Sequence, residues 1–206
     1  MSLVLEQETH IYRLDGVATP SVTQVLKAMG LTQWYPPNPT YRQRGDAIHK
    51  ASALMVQGRL ALEADGTVSL KTDARIRGYV ESFRKWAART GFKPSLIEQG
   101  VFSRTWRVAG SLDYFGPVDG KYTIVDLKSG EPGKPAAALQ TAGYAVLLKE
   151  CLGLQTQHRI ALRLDPDGGD PEPFEYTNMA EDVRHFLSAV SVYHLRAQYG
   201  LLEKEK

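Results

Sequence analysis

Cysteine is nearly absent: Cys151 is the only one in 206 residues. Intramolecular disulfides are therefore excluded, as are a Cys-ligated iron–sulfur cluster and a zinc site built on several cysteines. A reducing, cytoplasmic setting is the expectation. An excess of one charge is missing too. The chain has 25 Lys and Arg against 23 Asp and Glu, a formal net charge of +2. Any nucleic-acid binding must then come from a local basic surface. No segment approaches the ~20 apolar residues of a membrane span, so no membrane association is expected. Met1–Glu6 lacks the basic start and apolar core of a signal peptide. Internal repeats, low-complexity tracts and Pro/Ser linkers are also missing. What remains is an ordinary globular composition, 43% hydrophobic and 23% charged. It predicts one domain over 1–206 with a sizeable core.

The patterning divides that domain. Asp15-Gly16 lies between short β-prone runs and predicts a hairpin. Ser21 and Gln24 have capping-box spacing ahead of Val22, Val25, Leu26 and Met29, with Gly30 to end the helix. Three prolines stiffen "WYPPNPTY" into a loop. Helical periodicity follows from about Tyr41 to Gly58. It returns in "DARIRGYVESFRKWAARTG", where Ile76, Val80, Phe83 and Ala87 share a face. From about residue 95 the texture changes to three strands, 95–103, 107–115 and 122–128. A helix, a strand over "QHRIALRLD", a short strand over "FEYT" and a closing helix complete the chain. The expectation is an α/β fold with a mixed sheet, in which 1–94 is mainly helical and 95–206 holds the sheet.

Two acids and a lysine sit badly in that sheet. Asp113 interrupts one apolar run, and Asp126 and Lys128 interrupt the next. Strand interiors disfavour these residues, and unpaired buried charge is costly. Side chains alternate across a strand, so Asp126 and Lys128 share a face. Pairing of the two runs through a turn near Pro117–Lys121 would bring Asp113 towards Asp126. Two adjacent carboxylates raise each other's pKa. A Mg2+ or Mn2+ ion removes the repulsion, taking carboxylate oxygens and backbone carbonyls such as that of Leu127 as ligands. Lys128 beside it would orient water or steady charge growing on a phosphate. That is phosphodiester chemistry. A plain ion pair at a sheet edge is the competing reading of the same three residues.

The ordered set "RGDAIHKA", "GSLDYF", "VDLKSG" and "QTAGY" resembles the PD-(D/E)XK nuclease superfamily. Within it, the set is most similar to RecB-like and Cas4-like exonucleases with phage and mitochondrial single-strand relatives. "TPSVTQVL" resembles the N-terminal segment of such members. The likeness spans roughly residues 17–150. It implies a restriction-endonuclease-like core with a helical N-terminal elaboration. Asp113 and Asp126 would be metal ligands and Lys128 the catalytic lysine. His49 would be a ligand or a group behind the ligands, and Glu98 a further acid on the first strand of the sheet. Gln140 and Tyr144, one helical turn apart, would position DNA or the catalytic groups. The four-cysteine cluster of Cas4-like members has no counterpart, and no helicase motif is present.

The resemblance implies a Mg2+- or Mn2+-dependent exodeoxyribonuclease in phage or bacterial recombination, repair or DNA processing. Its partner would be DNA, single-stranded or with a free end, alongside a recombinase or single-strand-binding protein. Its setting would be the bacterial or phage-infected cytoplasm. An endonuclease and a non-catalytic DNA-binding subunit of the same fold are the rival readings. Arg42 and Arg44 are the expected phosphate contacts. Trp34 and Tyr35, in the Pro-rich loop, are the expected base-stacking residues.

Overall fold

The computed structural model describes residues 3–6, 11–32, 39–133 and 135–202. It opens with a small antiparallel sheet of β1 (Leu3–Glu6), β2 (Ile11–Leu14) and β3 (Val17–Thr19). Asp15 (φ 48°) and Gly16 (φ 84°) both occupy the left-handed region, as a tight two-residue hairpin requires. Helix α1 (Val22–Ala28) starts at the expected capping box. Gln24 N donates to Ser21 Oγ (3.1 Å), and Ser21 N donates to Gln24 Oε1 (2.8 Å). Two longer helices follow, α2 (Pro39–Val56) and α3 (Ala74–Thr90). Asp73 caps α3 through the amide of Arg75, and Gly91 ends it at φ 62°.

The main sheet has the order β4 (Leu96–Ser103), β5 (Val108–Val118), β6 (Lys121–Lys128), β7 (His158–Arg163), β8 (Glu172–Glu175). Its pairs are antiparallel except β6–β7, which is parallel. Parallel neighbours need a crossover, and α4 (Ala136–Leu152) supplies it, with α5 (Met179–Gln198) closing the chain. The β5–β6 turn is tighter than the sequence suggests. Pro117 stays in β5 opposite Tyr122, and Asp119-Gly120 alone makes the turn.

Each face of the sheet is covered. Ile124, Leu112 and Phe115 pack under α1, α4 and α5 with Val22, Leu147 and Phe186. Val125, Leu127 and Tyr114 pack on the other side with Ile48, Val80 and Phe83 of α2 and α3. Helix α3 also lies hard against the loop after β7: a Cβ on Gly78 would stand 1.7 Å from the carbonyl oxygen of Pro166.

The alternation of faces slips once. On β5, Leu112 and Phe115 share a face although three residues apart, and Tyr114 lies on the other. On β4, Leu96 packs with Val101 across five residues, while Ile97 lies opposite. The ladder pairs Ile97 with Tyr114 and then Gln99 with Leu112, passing over Glu98 and Asp113. Glu98 holds φ 47°, an unusual angle for a non-glycine residue inside a strand. Both strands thus change phase at one rung, and that rung carries the two acids.

Candidate active site

Beyond that rung β5 and β6 part. Their pairing runs from Val118–Lys121 to Tyr114–Val125. The next amide along, Leu127 N, donates instead to the Asp113 side chain (Oδ2, 2.7 Å). The break lets a carboxylate take the place of a backbone acceptor. Helix α2 lays His49 over the gap, its Nδ1 3.2 Å from Asp113 Oδ1 and 3.6 Å from Glu98 Oε1. One donor atom from each of His49, Glu98 and Asp113 lies within 4.8 Å of the others.

Asp126 and Lys128 share the α4 face, as period two requires. The Lys128 ammonium is 2.7 Å from Asp126 Oδ2. The contact is poorly directed: Oδ2 is buried and has no aligned hydrogen bond. Lys128 Nζ donates to Gln140 Oε1 (3.0 Å), and Gln140 Nε2 donates to the Tyr144 hydroxyl (3.1 Å). Tyr144 reaches its place because residue 110 is glycine. A Cβ there would stand 2.8 Å from the tyrosine ring.

The electrostatics divide the site. Asp113, aided by a hydrogen bond to it and by Glu98, raises His49 to about 11 against the pull of burial, so the imidazole is a cation. Burial pushes Asp113 upward, but His49, Lys128 and the Leu127 amide outweigh it and hold the carboxyl below its usual range. Burial, with Asp113 adding repulsion, holds Asp126 above that range despite Lys128. For Lys128 burial pulls down, yet Asp126 and Asp113 together raise it, so the ammonium stays charged. Burial lifts Tyr144 far above the ordinary phenol value, which keeps it a neutral phenol as it accepts from Gln140.

These residues fit a hard dication. The donors are carboxylates and one imidazole, three of them already converge, and Asp126 offers a buried oxygen short of an aligned partner. His49 and Lys128 supply the positive charge around the acids in the metal-free protein.

The remaining predicted residues fall in three places. Leu127 pairs with Leu162 in the parallel ladder and gives its amide to Asp113. Arg42 lines a cavity of about 260 Å3 beside the site, with Tyr12, Ser21, Thr23, Ser111 and Tyr144. Arg44 turns away towards α3, stacked on Tyr41 and Tyr79. Trp34 and Tyr35 lie outside the described residues. Sequence reasoning missed Tyr12, whose hydroxyl is 3.0 Å from Ser111 Oγ. It also missed Tyr176, whose hydroxyl is buried without a partner in the field of Asp126 and Arg159. Neither has a local sequence mark, because Tyr12 arrives from β2 and Tyr176 from just past β8, both distant in the chain.

An Asp-x-Lys on β6, acids on β5 and on β4 beyond it, and a Gln–Tyr pair from the crossover helix make up the candidate centre. The family model of the PD-(D/E)XK nuclease superfamily matches residues 25–192, and the chain belongs to that superfamily. No curated protein matches the sequence. Among solved structures, a Eubacterium rectale protein named "Putative exonuclease" is 13% identical. The match covers 87% of this chain and 74% of that one, with a TM-score of 0.47. The structure of SSO0001 is 14% identical over 73% of this chain and 70% of its own, with a TM-score of 0.32.

Proposed function

We propose that the protein is a metal-dependent DNA exonuclease that works inward from single-stranded ends, in phage or bacterial recombination, repair or DNA processing. One observation carries this reading: α2 crosses over the acids, with His49 3.2 Å from Asp113. A site roofed by a helix excludes a wide duplex but accepts one threaded strand, and threading needs an end. Arg42 and His49 are seven residues apart, two turns along one face, so a phosphate approaching the acids meets Arg42 on the way.

His49, Glu98, Asp113 and Asp126 would hold Mg2+ or Mn2+. The ion would supply charge neutralisation for the scissile phosphate and a more acidic water. The chain's own residues do the rest. Lys128 remains an ammonium and faces the negative charge that grows on the phosphate. Gln140 accepts from Lys128 and is itself held by Tyr144, which fixes the direction of the ammonium. Asp113 takes the Leu127 amide and so ties the ligand set to the end of the β5–β6 ladder.

The test compares linear single-stranded, circular single-stranded and blunt duplex DNA in Mg2+ or Mn2+, with and without chelator. Digestion of the linear strand alone, abolished by chelator, is the expected result. Rapid cutting of the circle replaces this reading with an endonuclease. Binding without any cutting replaces it with a non-catalytic DNA-binding subunit.

A further inference from the structure

Helix α2 has a second basic flank that the catalytic centre does not use. At about 100° per residue, Arg44 points some 200° away from Arg42. It lines a cavity of about 360 Å3 between α2 and α3, with Thr40, Gln43, Arg75 and Tyr79. The guanidinium carbon lies 5.2 Å from the ring centroid of Tyr41 and 5.4 Å from that of Tyr79. Arg44 Nε is buried and has no hydrogen-bond partner among the described residues. An arginine held by cation–π contacts keeps its N–H donors for a planar or tetrahedral anion. The one acid in the lining, Asp73, is already held by Arg75 at 2.6 Å.

The cavity has a neighbour. Tyr79 and Pro166 line both it and a neighbour of about 340 Å3, which reaches Ser129 and Gly130 directly after Lys128. The acids along this second cavity are engaged. Arg163 holds Glu131 and Glu172, Arg89 holds Asp170, and Asp165 accepts from the amides of Asp167 and Gly169. The two cavities thus meet at Tyr79 and Pro166, one opening beside the residues that follow Lys128 and the other at Arg44. Tyr41, beside Arg44, is 63% exposed and has a ring face for a base.

We propose that Arg44, stacked between Tyr41 and Tyr79, is a second strand-binding station, which grips a phosphate of single-stranded DNA several nucleotides from the bond being cut. This rests on the nuclease reading above and adds a prediction of its own. A strand long enough to reach both flanks of α2 gains affinity from Arg44, and a short one does not.

The experiment measures fluorescence anisotropy of oligo-dT of about four and about twelve nucleotides, within the usual range of single-strand site sizes. The protein carries Lys128→Ala to prevent cutting, with and without Arg44→Ala. Arg44→Ala should weaken the long oligonucleotide on the order of tenfold and the short one by less than about twofold. It should also lower the salt slope for the long one by about 0.7, one phosphate contact on a single strand. Tyr41→Ala, at an exposed position that leaves the core closed, should give a smaller loss with the same length dependence. Equal losses at both lengths, or an unchanged salt slope, overturn the station. An Arg44 that only braces α2 against α3 would lower the melting temperature without weakening the long oligonucleotide more than the short one, which also overturns it. Cutting of linear single strands by the unmodified protein is scored separately. If it cuts while the length dependence is missing, the station alone fails. If it neither cuts nor binds, both readings fail.

Discussion

Arg159 and Asp126 are charged residues on the same face of the same sheet, one strand apart, and the fold treats them in opposite ways. Arg159 is fully buried and nearly saturated. It donates to the Ala138 carbonyl (2.8 Å), lies 3.4 Å from Thr141 Oγ1, and pairs with Asp182 at 2.6 Å, leaving only Nε without a partner. One cation meets one acid, and the cluster ties β7 to α4 and α5. Around Asp126 three carboxylates share Lys128 and His49, the nearest contact is misdirected, and burial opposes the charge. The first arrangement balances its charge within the chain itself. The second holds more acid than its own cations neutralise well. Buried charge balanced one to one reads as architecture. Buried acid left short of partners reads as a place for something that arrives later.

Four changes break or sharpen that contrast. Asp126→Asn should cut cleavage more than ~100-fold, as loss of one preorganised charge does. It should move the melting temperature by only a few degrees, because the charge it removes is held unfavourably. Initial rates and thermal scans check both halves, and near-normal cutting would remove Asp126 from the site. Arg159→Leu should do the reverse. Leaving Asp182 without its partner should cost about 3 kcal/mol in denaturant unfolding, while the folded fraction still cleaves.

Acidity should separate the clusters next. His49 sits above its ordinary value, so its ion contacts stabilise the metal-free fold fully below pH 6.5, and that contribution is lost as pH climbs through about 11. A ligating imidazole must first lose its proton. Mn2+ affinity should therefore rise with pH, roughly tenfold per unit near neutrality, in calorimetric titrations. His49→Gln should flatten that slope. The smallest effect belongs to Glu98. Its left-handed backbone costs about 1 kcal/mol that glycine would avoid. Glu98→Gly should thus raise or hold stability while weakening Mn2+ binding, and a clear drop in melting temperature would count against strain at this residue.

Much of this was readable because it is local. The Ser21–Gln24 capping box, the Asp15-Gly16 turn, and the shared face of Asp126 and Lys128 each follow from spacing of three residues or fewer. Gln140 and Tyr144 needed only the helical turn between them. The sequence placed Arg42 and Arg44 on one helix, but spacing does not say which neighbours each one meets. The Asp119-Gly120 signature was present, although Pro117 drew the expected turn too wide. The convergence of Glu98, Asp113 and His49 was implied only by the family resemblance, not by spacing. It depends on a positive φ at a glutamate, which no residue pattern announces, and on a break in the β5–β6 ladder. Strand β1 was missed because four residues without clear alternation become a strand only through pairing with β2.

The shared slip at Glu98 and Asp113 has an evolutionary consequence. Side-chain phase in a strand changes with every residue, so losing or gaining one position in β4 would throw everything beyond it onto the wrong face. Here the two strands shift together at one rung, and the ladder on either side stays in register. Insertions or deletions in β4 are then tolerated only with a matching change in β5. The two strands are thereby tied to each other in length, with the acidic rung as their common joint.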